Sequence, residues 1–419
     1  MATAAPISFL VSRFPNPSET FIQAQAEGLL ERGASVDVTA FAAGSAEVLG
    51  ALRLKWPHKF NVTYVPLPKT FGARLVEMPR AFMDKRAFHA FFDGGRFGDD
   101  ASSLRLMIAA WRWPKEPPKP RVWLAHYGRW GRFACALRDL GLIAGPIATV
   151  FHGRDMSSYL KKHPDAYTTL FQRGDLFLPI SELWRDKLLK LGAPADRTLV
   201  HRMGVDTARF TMRPRALREG EPVKFIGVGR MVEKKGFDDA VRAFAALRKE
   251  HGVENATLTL IGDGETRDFL QNFATSLNLG GVVRFTGLLP HAEVARELSE
   301  AHVFVLPSKT ATNGDMEGIP VALMEAMAQG LPVLATRHSG TPELVEHDVS
   351  GLLCDEGDWR TLSANMATLA RAPQRWAAMG EAGSARVRAE FDLKTWNDRL
   401  LQRLNLLAAG RRTPESVPG

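Results

Sequence analysis

The chain has 419 residues and a formal net charge of +8, with 45% hydrophobic and 24% charged residues. That length is too great for one compact core, so two domains of about 200 residues each are expected. No segment reaches the roughly 20 apolar residues of a membrane span, and the pattern at the N-terminus does not predict a secretory leader. Cys135 and Cys354 lie far apart without metal-ligand spacing, which favours a reducing cytoplasm and argues against structural zinc.

Short apolar, β-branched segments alternate with helical patterns through both halves of the chain. This alternation is typical of parallel sheets covered by helices, so the expected fold class is α/β. The strands predicted in the first half are 7–13, 36–41, 62–67, 122–126, 147–152, 176–180 and 199–203. Those predicted in the second half are 224–229, 257–262, 283–287, 303–306, 333–336 and 351–353.

A polar stretch between two prolines separates the halves and is the best candidate linker. The predicted organisation is a first domain, a linker, a second domain, an amphipathic helix and a disordered tail, at 1–213, 214–222, 223–390, 391–409 and 410–419. Two such domains enclose a cleft, and ligands of parallel sheets bind beyond the carboxyl ends of the strands.

Candidate site residues in the first half lie at predicted strand ends. The loop after the first strand contains Ser18, a candidate helix N-cap, followed by Glu19 and Thr20, which are expected to face the cleft. His126 and His152 each end a strand, and His152 precedes a glycine that permits close approach of a ligand. A structural role for either histidine stays open at this stage.

The segment 55–132 carries 15 Lys and Arg against 6 Asp and Glu, together with many Phe and Trp residues. Basic residues mixed with large aromatic residues are typical of a surface that contacts anionic membranes. The alternative is that the aromatic residues are core and the charges a solvated rim. Nucleic acid is not an expected partner, because no nucleic-acid-binding motif accompanies the segment.

The second half contains a basic strand-to-helix loop. Arg230 and Lys235 combine a guanidinium fork with an ammonium, a pairing suited to a diphosphate. A solvated basic loop is the alternative. The nearby run Ile261-Gly262-Asp263-Gly264-Glu265 resembles an acidic metal-binding cluster, but an ordinary turn is the preferred interpretation.

Two glutamates, Glu317 and Glu325, flank a predicted helix start. Pro320 and Gly330 predict a helix over 320–329, whose unpaired amides and partial positive charge favour an anion such as a phosphate. Carboxylates accept paired hydrogen bonds from vicinal hydroxyls, so one glutamate could hold a sugar and the other a ribose. The alternative is that Glu325 is half exposed or pairs with a structural arginine.

Four segments in this order and spacing resemble the donor-binding half of the retaining glycosyltransferases of family 4, which have the GT-B fold. They are Gly229-Arg230 with Lys235-Gly236, Ile261-Gly262-Asp263-Gly264, the Glu317 and Glu325 pair, and Ser339-Gly340-Thr341-Pro342-Glu343 leading to Gly351-Leu352-Leu353. The first half matches through Phe151-His152-Gly153 and Ser18-Glu19-Thr20-Phe21. The latter, with Thr312-Asn313-Gly314-Asp315, is similar to the colanic acid and amylovoran exopolysaccharide branch. The Gly-Gly pair of the first loop is missing.

The resemblance implies two Rossmann-like domains whose parallel sheets face each other across a cleft, with the last helix crossing back to the first domain. It also implies a retaining, metal-independent hexosyl transfer without a cofactor. The co-substrate would be a UDP- or GDP-type nucleotide-sugar, and the acceptor a glycan or polyprenyl-diphosphate-linked molecule. The expected location is the cytoplasm, with peripheral attachment to the inner face of the cytoplasmic membrane.

The residue roles carried over from the resemblance divide between donor and acceptor. Arg230 and Lys235 would hold the diphosphate and stabilise its departure, Glu317 the transferred sugar and Glu325 the ribose. His152 would lie beside the reacting sugar. The remaining donor contacts would come from Gly318, Ile319, Pro320, Val321 and Ala322. Acceptor contacts are expected from Ser18, Glu19, Thr20 and His126.

Three other functions remain open at the level of the sequence. A non-catalytic nucleotide-sugar or polysaccharide-binding protein would retain the phosphate-binding residues without turnover. A sugar phosphorylase would need a free phosphate site, whereas a nucleotide-sugar epimerase would act without an acceptor.

Overall fold

The computed structural model describes residues 5–16, 19–92 and 99–411. The first half forms a six-stranded parallel sheet with the order β3-β2-β1-β4-β5-β6. Its strands are β1 Ile7–Val11, β2 Val36–Ala40, β3 Phe60–Tyr64, β4 Val122–His126, β5 Ile147–Phe151 and β6 Leu176–Pro179. This order reverses direction beside β1 and β4, which is the doubly wound arrangement that places a ligand crevice at the carboxyl ends of the strands.

A second parallel sheet of six strands has the order β12-β11-β10-β7-β8-β9. Its strands are β7 Val223–Val228, β8 Ala256–Ile261, β9 Val283–Gly287, β10 Val303–Leu306, β11 Val333–Thr336 and β12 Gly351–Cys354. Central strands such as β5 and β10 are buried along their whole length, because helices cover both faces of each sheet. The predicted α/β architecture is therefore confirmed.

Helices connect the strands throughout. In the first half they are Thr20–Glu31, Ala46–Lys55, Phe71–Ala81, Lys85–Phe92, Asp99–Ser102, Arg105–Arg112, Gly128–Asp139, Gly153–Met156, Ser158–Lys162, Thr168–Arg173 and Glu182–Lys190. In the second half they are Phe237–Lys249, Arg267–Ser276, His291–Glu300, Val321–Ala328, Thr341–Leu344, Trp359–Arg371, Trp376–Glu390 and Leu393–Ala408. Short 3-10 turns occur at Ala195–Arg197, Glu233–Lys235 and Pro373–Arg375. Among the helices described, none combines the length and hydrophobicity needed to traverse a bilayer.

One predicted strand, 199–203, is wrong. The segment forms only two backbone hydrogen bonds to the edge of the first sheet, from Leu199 to Phe177 and from His201 to Pro179. The chain then turns away, and Val205 instead exchanges backbone hydrogen bonds with Phe391 and Leu393. Competition from this second partner stops the ladder before a strand forms. The other predicted strands exist, with ends displaced by up to three residues.

The last helix, Leu393–Ala408, returns to the first sheet as expected. Leu400 and Leu404 are fully buried in the core of the first half. Gly28 lies so close to Asn397 that a Cβ at position 28 would approach the amide nitrogen of Asn397 to 1.9 Å. Arg32 of the first helix bonds the carboxylate of Asp398, which fixes the direction of the returning helix.

The boundaries 1–213, 214–222 and 223–390 stay a prediction. Residues 214–222 contain no helix or strand, but they are anchored to the second half of the chain. Arg215 is buried and donates hydrogen bonds to the carbonyls of Ser299 and Gln329 in the second half. Residues 412–419, most of the predicted tail, lie outside the described residues.

Candidate active site

The carboxyl ends of the two sheets face each other, and the loops that follow β5 and β10 touch across the cleft between them. Ser157 Oγ accepts a hydrogen bond of 3.1 Å from the Met316 amide and donates one to the Gly153 carbonyl. A Cβ on Gly153 would lie 2.7 Å from the carbonyl carbon of Glu317 and 2.8 Å from the Gly318 nitrogen. The absence of a side chain at position 153 therefore lets the two halves meet at Glu317.

The loop that carries Arg230 packs directly against the Gly262-Asp263-Gly264 turn. The Met231 amide donates to the Asp263 carbonyl, and a Cβ at Gly262 would lie 1.9 Å from the Gly229 carbonyl oxygen. Both glycines have positive φ angles, a conformation that other residues rarely adopt. Within the described residues no group of three or more His, Cys, Asp or Glu side chains could hold a metal ion.

Arg230 and Lys235 differ sharply in their surroundings. The Arg230 side chain is exposed, and no residue described in the structure bonds its guanidinium. Lys235 is largely buried and its Nζ lies 3.1 Å from Oε2 of Glu317. One cation of the predicted diphosphate pair is thus open to the cleft, while the other is already bound to a carboxylate.

Lys234 was not among the predicted residues, yet it faces the same carboxylate. Its Nζ lies 3.5 Å from Oε1 of Glu317, 3.2 Å from Asp315 and 3.3 Å from the Met316 carbonyl oxygen. The 3-10 turn Glu233–Lys235 turns both lysines toward one group. The pair Lys234-Lys235 is visible in the sequence. Only the tertiary structure shows that both lysines contact Glu317.

Glu317 is buried and ionised. Burial by itself would raise the pKa of its carboxyl group, but the positive charges of Lys235 and Lys234 lower that pKa to about 2. Oε2 accepts a hydrogen bond from Lys235, whereas Oε1 accepts none from the described residues. Lys234 lies 3.5 Å from Oε1, within ion-pair range, so this buried oxygen retains the capacity to accept a hydrogen bond from a ligand hydroxyl group.

The backbone of Glu317 is held by His338, which the sequence did not single out, and by Ser339, the first residue of one of the four resembling segments. Its amide donates to Nε2 of His338 over 3.0 Å, and its carbonyl accepts from Ser339 Oγ over 2.8 Å. Because Nε2 of His338 accepts, the ring proton lies on Nδ1 and is donated to Glu356, 2.6 Å away. The chain Glu356–His338 therefore fixes Glu317 through its amide.

The predicted helix after Glu317 forms, but it runs from Val321 to Ala328 and Pro320 is its N-cap. The first hydrogen bond inside this helix runs from Leu323 to the Pro320 carbonyl, so the amides of Val321 and Ala322 have no intrahelical acceptor. Val321 is exposed at this helix end. The segment Gly318–Ala322 therefore presents an amide-rich surface beside Glu317, as an anion site requires.

Glu325 lies one turn further along the same helix and is half-buried. Burial raises the pKa of its carboxyl group to about 7, and none of the described residues forms an ion pair with it. The alternative of a structural arginine partner is therefore wrong. A ligand that donates hydrogen bonds to the ionised carboxylate would stabilise that form and lower the pKa of Glu325.

His152 and His126 form a buried pair in the first half. Nδ1 of His126 lies 3.2 Å from Nε2 of His152, and the rings of Phe21 and Tyr127 pack on His152. Burial lowers the pKa of His152 to about 3 and that of His126 well below its ordinary value, so both are neutral. His126 is fully buried and stacks on His152, so its predicted contact with an acceptor stays a prediction.

The loop after β1 forms side-chain hydrogen bonds within the first half of the chain. Glu19 occupies the N-cap position of helix Thr20–Glu31, and its carboxylate accepts from Tyr127 Oη over 2.7 Å and from Asn16 over 3.0 Å. Thr20 is exposed at the start of the helix. Ser18 lies outside the described residues. Tyr127, which orients Glu19, was not predicted as a site residue. Its distinguishing feature is a positive φ angle, which the sequence does not reveal.

Comparison with known proteins places this site in a family. A family profile described as "Glycosyl transferases group 1" matches residues 208–386. The amylovoran biosynthesis glycosyltransferase AmsK of Erwinia amylovora is 36% identical over 400 residues, covering 92% of this chain and 96% of AmsK. The chain belongs to the group 1 glycosyltransferases. The putative colanic acid biosynthesis glycosyltransferase WcaL of Escherichia coli is 38% identical over 372 residues, covering 87% of this chain and 90% of WcaL.

The fold of this group 1 glycosyltransferase is also seen in solved structures. Anabaena HepE, in a crystal structure with UDP and glucose, has a TM-score of 0.69 and 20% sequence identity, with 96% of this chain and 99% of HepE covered. This similarity, together with the two facing parallel sheets, confirms the GT-B fold. The profile match spans Arg230, Lys235, Glu317 and Glu325, so the predicted donor residues lie inside the region that defines the family.

Proposed function

We propose that this group 1 glycosyltransferase moves a hexosyl unit from a nucleotide-diphosphate sugar to a hydroxyl group of a glycan or polyprenyl-diphosphate-linked acceptor, with retention at the anomeric carbon. The observation that carries the proposal is Glu317: a buried, ionised carboxylate between two lysines and a helix start, with one oxygen that accepts no hydrogen bond from the described residues. A sugar hydroxyl can donate to Oε1, and a phosphate can bind the surrounding cations and amides.

The donor would lie along this row of groups. Its diphosphate would contact Arg230, Lys235 and the amides of Val321 and Ala322, because these supply opposite charge and free N–H groups. The ribose hydroxyls would donate to Glu325, whose carboxylate has no partner among the described residues. Lys235 then serves both the phosphate and Glu317.

The transfer step follows from these contacts. The acceptor oxygen forms a bond to the anomeric carbon on the face from which the phosphate leaves, and the bond between that carbon and the phosphate oxygen breaks. The acceptor proton passes to the departing phosphate oxygen, and the product is a nucleoside diphosphate. Arg230 and Lys235 stabilise the charge that develops on that oxygen, so the proposed step uses no metal ion or cofactor.

His152 would line the acceptor side of the reacting sugar. Its ring is neutral at physiological pH because burial lowers its pKa to about 3. It therefore acts through hydrogen bonding and shape rather than as a proton donor. Closure of the cleft around it would exclude water from the donor.

The names of the relatives support a role in exopolysaccharide synthesis and leave the nucleotide open. AmsK and WcaL are named for amylovoran and colanic acid biosynthesis. HepE was solved with UDP and glucose, whereas a mannosyltransferase of Mycolicibacterium smegmatis, 34% identical over 217 residues, is named GDP-mannose-dependent. That second match covers 55% of the mannosyltransferase, so we assign neither UDP nor GDP.

A peripheral position on the inner face of the cytoplasmic membrane is part of the proposal. Helices Phe71–Ala81 and Lys85–Phe92 expose an apolar patch, which consists of Phe71, Leu75, Val76, Met83, Phe88 and Phe92. Lys69, Arg80 and Lys85 are exposed around this apolar patch, while Glu77 and Asp84 are paired with Arg112 and Lys115. Cations that have no partner among the described residues, near exposed apolar side chains, suit an anionic bilayer. Trp113, Trp123 and Trp130 of the same segment are buried instead.

A screen for thermal stabilisation of the purified protein tests the donor. UDP- and GDP-sugars should raise the melting temperature by mass action, with about 2.7 kcal/mol of stabilisation at 100 times Kd. Product analysis with the stabilising donor should then show transfer that requires an acceptor, continues in EDTA and keeps the anomeric configuration. Conversion without an acceptor would favour the epimerase, dependence on inorganic phosphate the phosphorylase, and binding without turnover the non-catalytic protein.

A further inference from the structure

The segment from His338 to Glu343 lies between the two halves of the molecule and contacts both. At one end, His338 and Ser339 hold the amide and the carbonyl of Glu317. In the middle, a Cβ on Gly340 would lie 2.6 Å from the Ile319 side chain and 3.3 Å from Cβ of Ser181. The segment is therefore wedged between the donor loop and the first half of the chain.

Glu343 forms the other end of this segment. Its two carboxylate oxygens accept hydrogen bonds of 3.1 Å from the amides of Glu182 and Leu183, the first residues of helix Glu182–Lys190. Arg202, also in the first half, donates to the same carboxylate over 3.2 Å. A carboxylate at a helix N-terminus, bonded to its free amides and to a guanidinium, is a strong charge-assisted contact.

We propose that Glu343 is a positioning residue that couples closure of the cleft to the placement of Glu317. When the halves close, Glu343 docks on helix Glu182–Lys190. The short connection from Glu343 back to Ser339 and His338 then sets the backbone position of Glu317 against Gly153. When they open, this restraint is released. The inference rests on the proposed transfer for its catalytic consequence, but not for its structural one.

The coupling distinguishes Glu343 from a residue that only adds stability. A stabilising contact alone would shift the melting temperature and leave the cleft geometry and the kinetic constants in place. The coupling instead predicts a wider average separation of the two halves and faster amide exchange at residues 315–318. It also predicts a loss in kcat that exceeds any change in donor binding, because Arg230 and Lys235 do not contact Glu343.

The test compares Glu343→Gln with Glu346→Gln. Glu346 follows this segment by three residues, but its carboxylate is 59% exposed and, among the described residues, meets only Arg386 at 3.9 Å. Solution X-ray scattering and hydrogen exchange of the full-length protein should show an opened cleft and a less protected 315–318 segment in Glu343→Gln alone. kcat should fall on the order of tenfold in that variant, since one charge-assisted contact is lost.

A second variant keeps the test decisive if Glu343→Gln folds poorly. Glu343→Asp retains the charge but is one methylene shorter, so it cannot reach both amides and should show the same opening. If either folded variant keeps the wild-type scattering profile and exchange rates, the inference is overturned. The scattering and exchange measurements need no donor, so they decide the inference even if the proposed transfer fails, and loss of the inference leaves that transfer standing.

Discussion

Lys235 and Glu317 are joined by an ion pair of 3.1 Å at the floor of the cleft, and Lys234 approaches the other carboxylate oxygen to 3.5 Å. The pair keeps Glu317 ionised in a buried site. It also means that a donor phosphate must share Lys235 rather than find it free. In the proposed donor complex, Arg230, which is exposed and unpaired among the described residues, would be the cation that first meets the diphosphate.

Replacing Glu317 tests its role with the transferred sugar. Glu317→Gln keeps the shape but removes the charge, so transfer should fall by a factor on the order of 10² to 10³ in kcat. Asp315→Asn is the matched control, since Asp315 also contacts Lys234 but is not one of the proposed donor residues; its kcat should stay within about fivefold. Near-normal turnover of Glu317→Gln in a steady-state assay would remove Glu317 from the mechanism.

The same carboxylate predicts a loss of stability in acid. The pKa of Glu317 is about 2 in the folded protein, below its ordinary value of 4.5. The stability that this ionisation contributes is present above pH 4.5 and is lost as pH falls toward 2. Glu317→Gln should therefore unfold with a weaker pH dependence in that range, as measured by urea titration at several pH values.

Arg230→Ala should weaken donor binding without harming the fold. The side chain is exposed and bonds to no described residue, so the melting temperature should stay within about one degree. The Kd of the donor, measured by calorimetry, should rise by roughly tenfold and become less sensitive to salt. Arg230→Lys keeps the positive charge but not the guanidinium fork, so its Kd for the donor should lie between those of the wild type and Arg230→Ala. An unchanged Kd in Arg230→Ala would contradict the diphosphate role.

Glu325 predicts how donor affinity depends on pH. Its pKa is about 7, and ribose hydroxyls donate best to the ionised form. Affinity for the nucleotide-sugar should therefore strengthen by about tenfold between pH 6 and pH 8, following the ionised fraction. Glu325→Gln should bind more weakly at pH 8 and lose this dependence. Calorimetry across the range decides the point, and a pH-dependent Kd that persists in the variant would assign the titration elsewhere.

The raised pKa of Glu325 also lowers stability as pH rises. The folded state binds more protons than the unfolded state between pH 4.5 and 7, so stability decreases across that range. Asp155, whose pKa is raised to about 7 by burial, contributes in the same direction. Glu325→Gln should therefore flatten the decline in part, and a decline unchanged from wild type would contradict the assignment to Glu325.

Gly153→Ala should force the two halves apart. The added methyl group would meet the backbone of Met316 and Glu317 at 2.6 and 2.7 Å, and backbone atoms cannot rotate away. We expect kcat to fall on the order of 10² fold, because small displacements of reacting groups are costly. Gly50→Ala is the control, since its Cβ would meet nothing within 4 Å and alanine favours its helix. Full activity of Gly153→Ala would show that turnover does not need this contact.

The apolar patch predicts salt-sensitive binding to anionic vesicles. The double variant Phe71→Ser with Val76→Ser should lose co-sedimentation with phosphatidylglycerol vesicles and keep its melting temperature, because both side chains are exposed. Leu288→Ser, which removes an exposed apolar side chain from the second half, should bind as wild type does. Failure of the wild-type protein to bind such vesicles at low salt would contradict membrane association.

Much of the fold could be predicted from local pattern. Buried parallel strands are continuous apolar runs, so β5 and β10 are visible in the sequence, and Pro320 and Gly330 locate a helix to within one residue at each end. The wrong prediction of a strand at 199–203 also has a physical cause. The segment is apolar enough for a strand, but Val205 bonds to Phe391, more than 180 residues away, and no local signal reports such a competitor.

The amino-acid sequence by itself determined which chemical groups this glycosyltransferase can use: the Arg230 and Lys235 cations, the two glutamates and the glycines that let loops approach. These depend on residue type and on spacing within one loop or helix turn. Only the tertiary structure decided that Lys234 shares Glu317, that His126 is buried behind His152, and that Glu343 docks on the opposite half. Those relationships join residues far apart in the chain, and the packing of two sheets across a cleft sets their distances and the resulting pKa values.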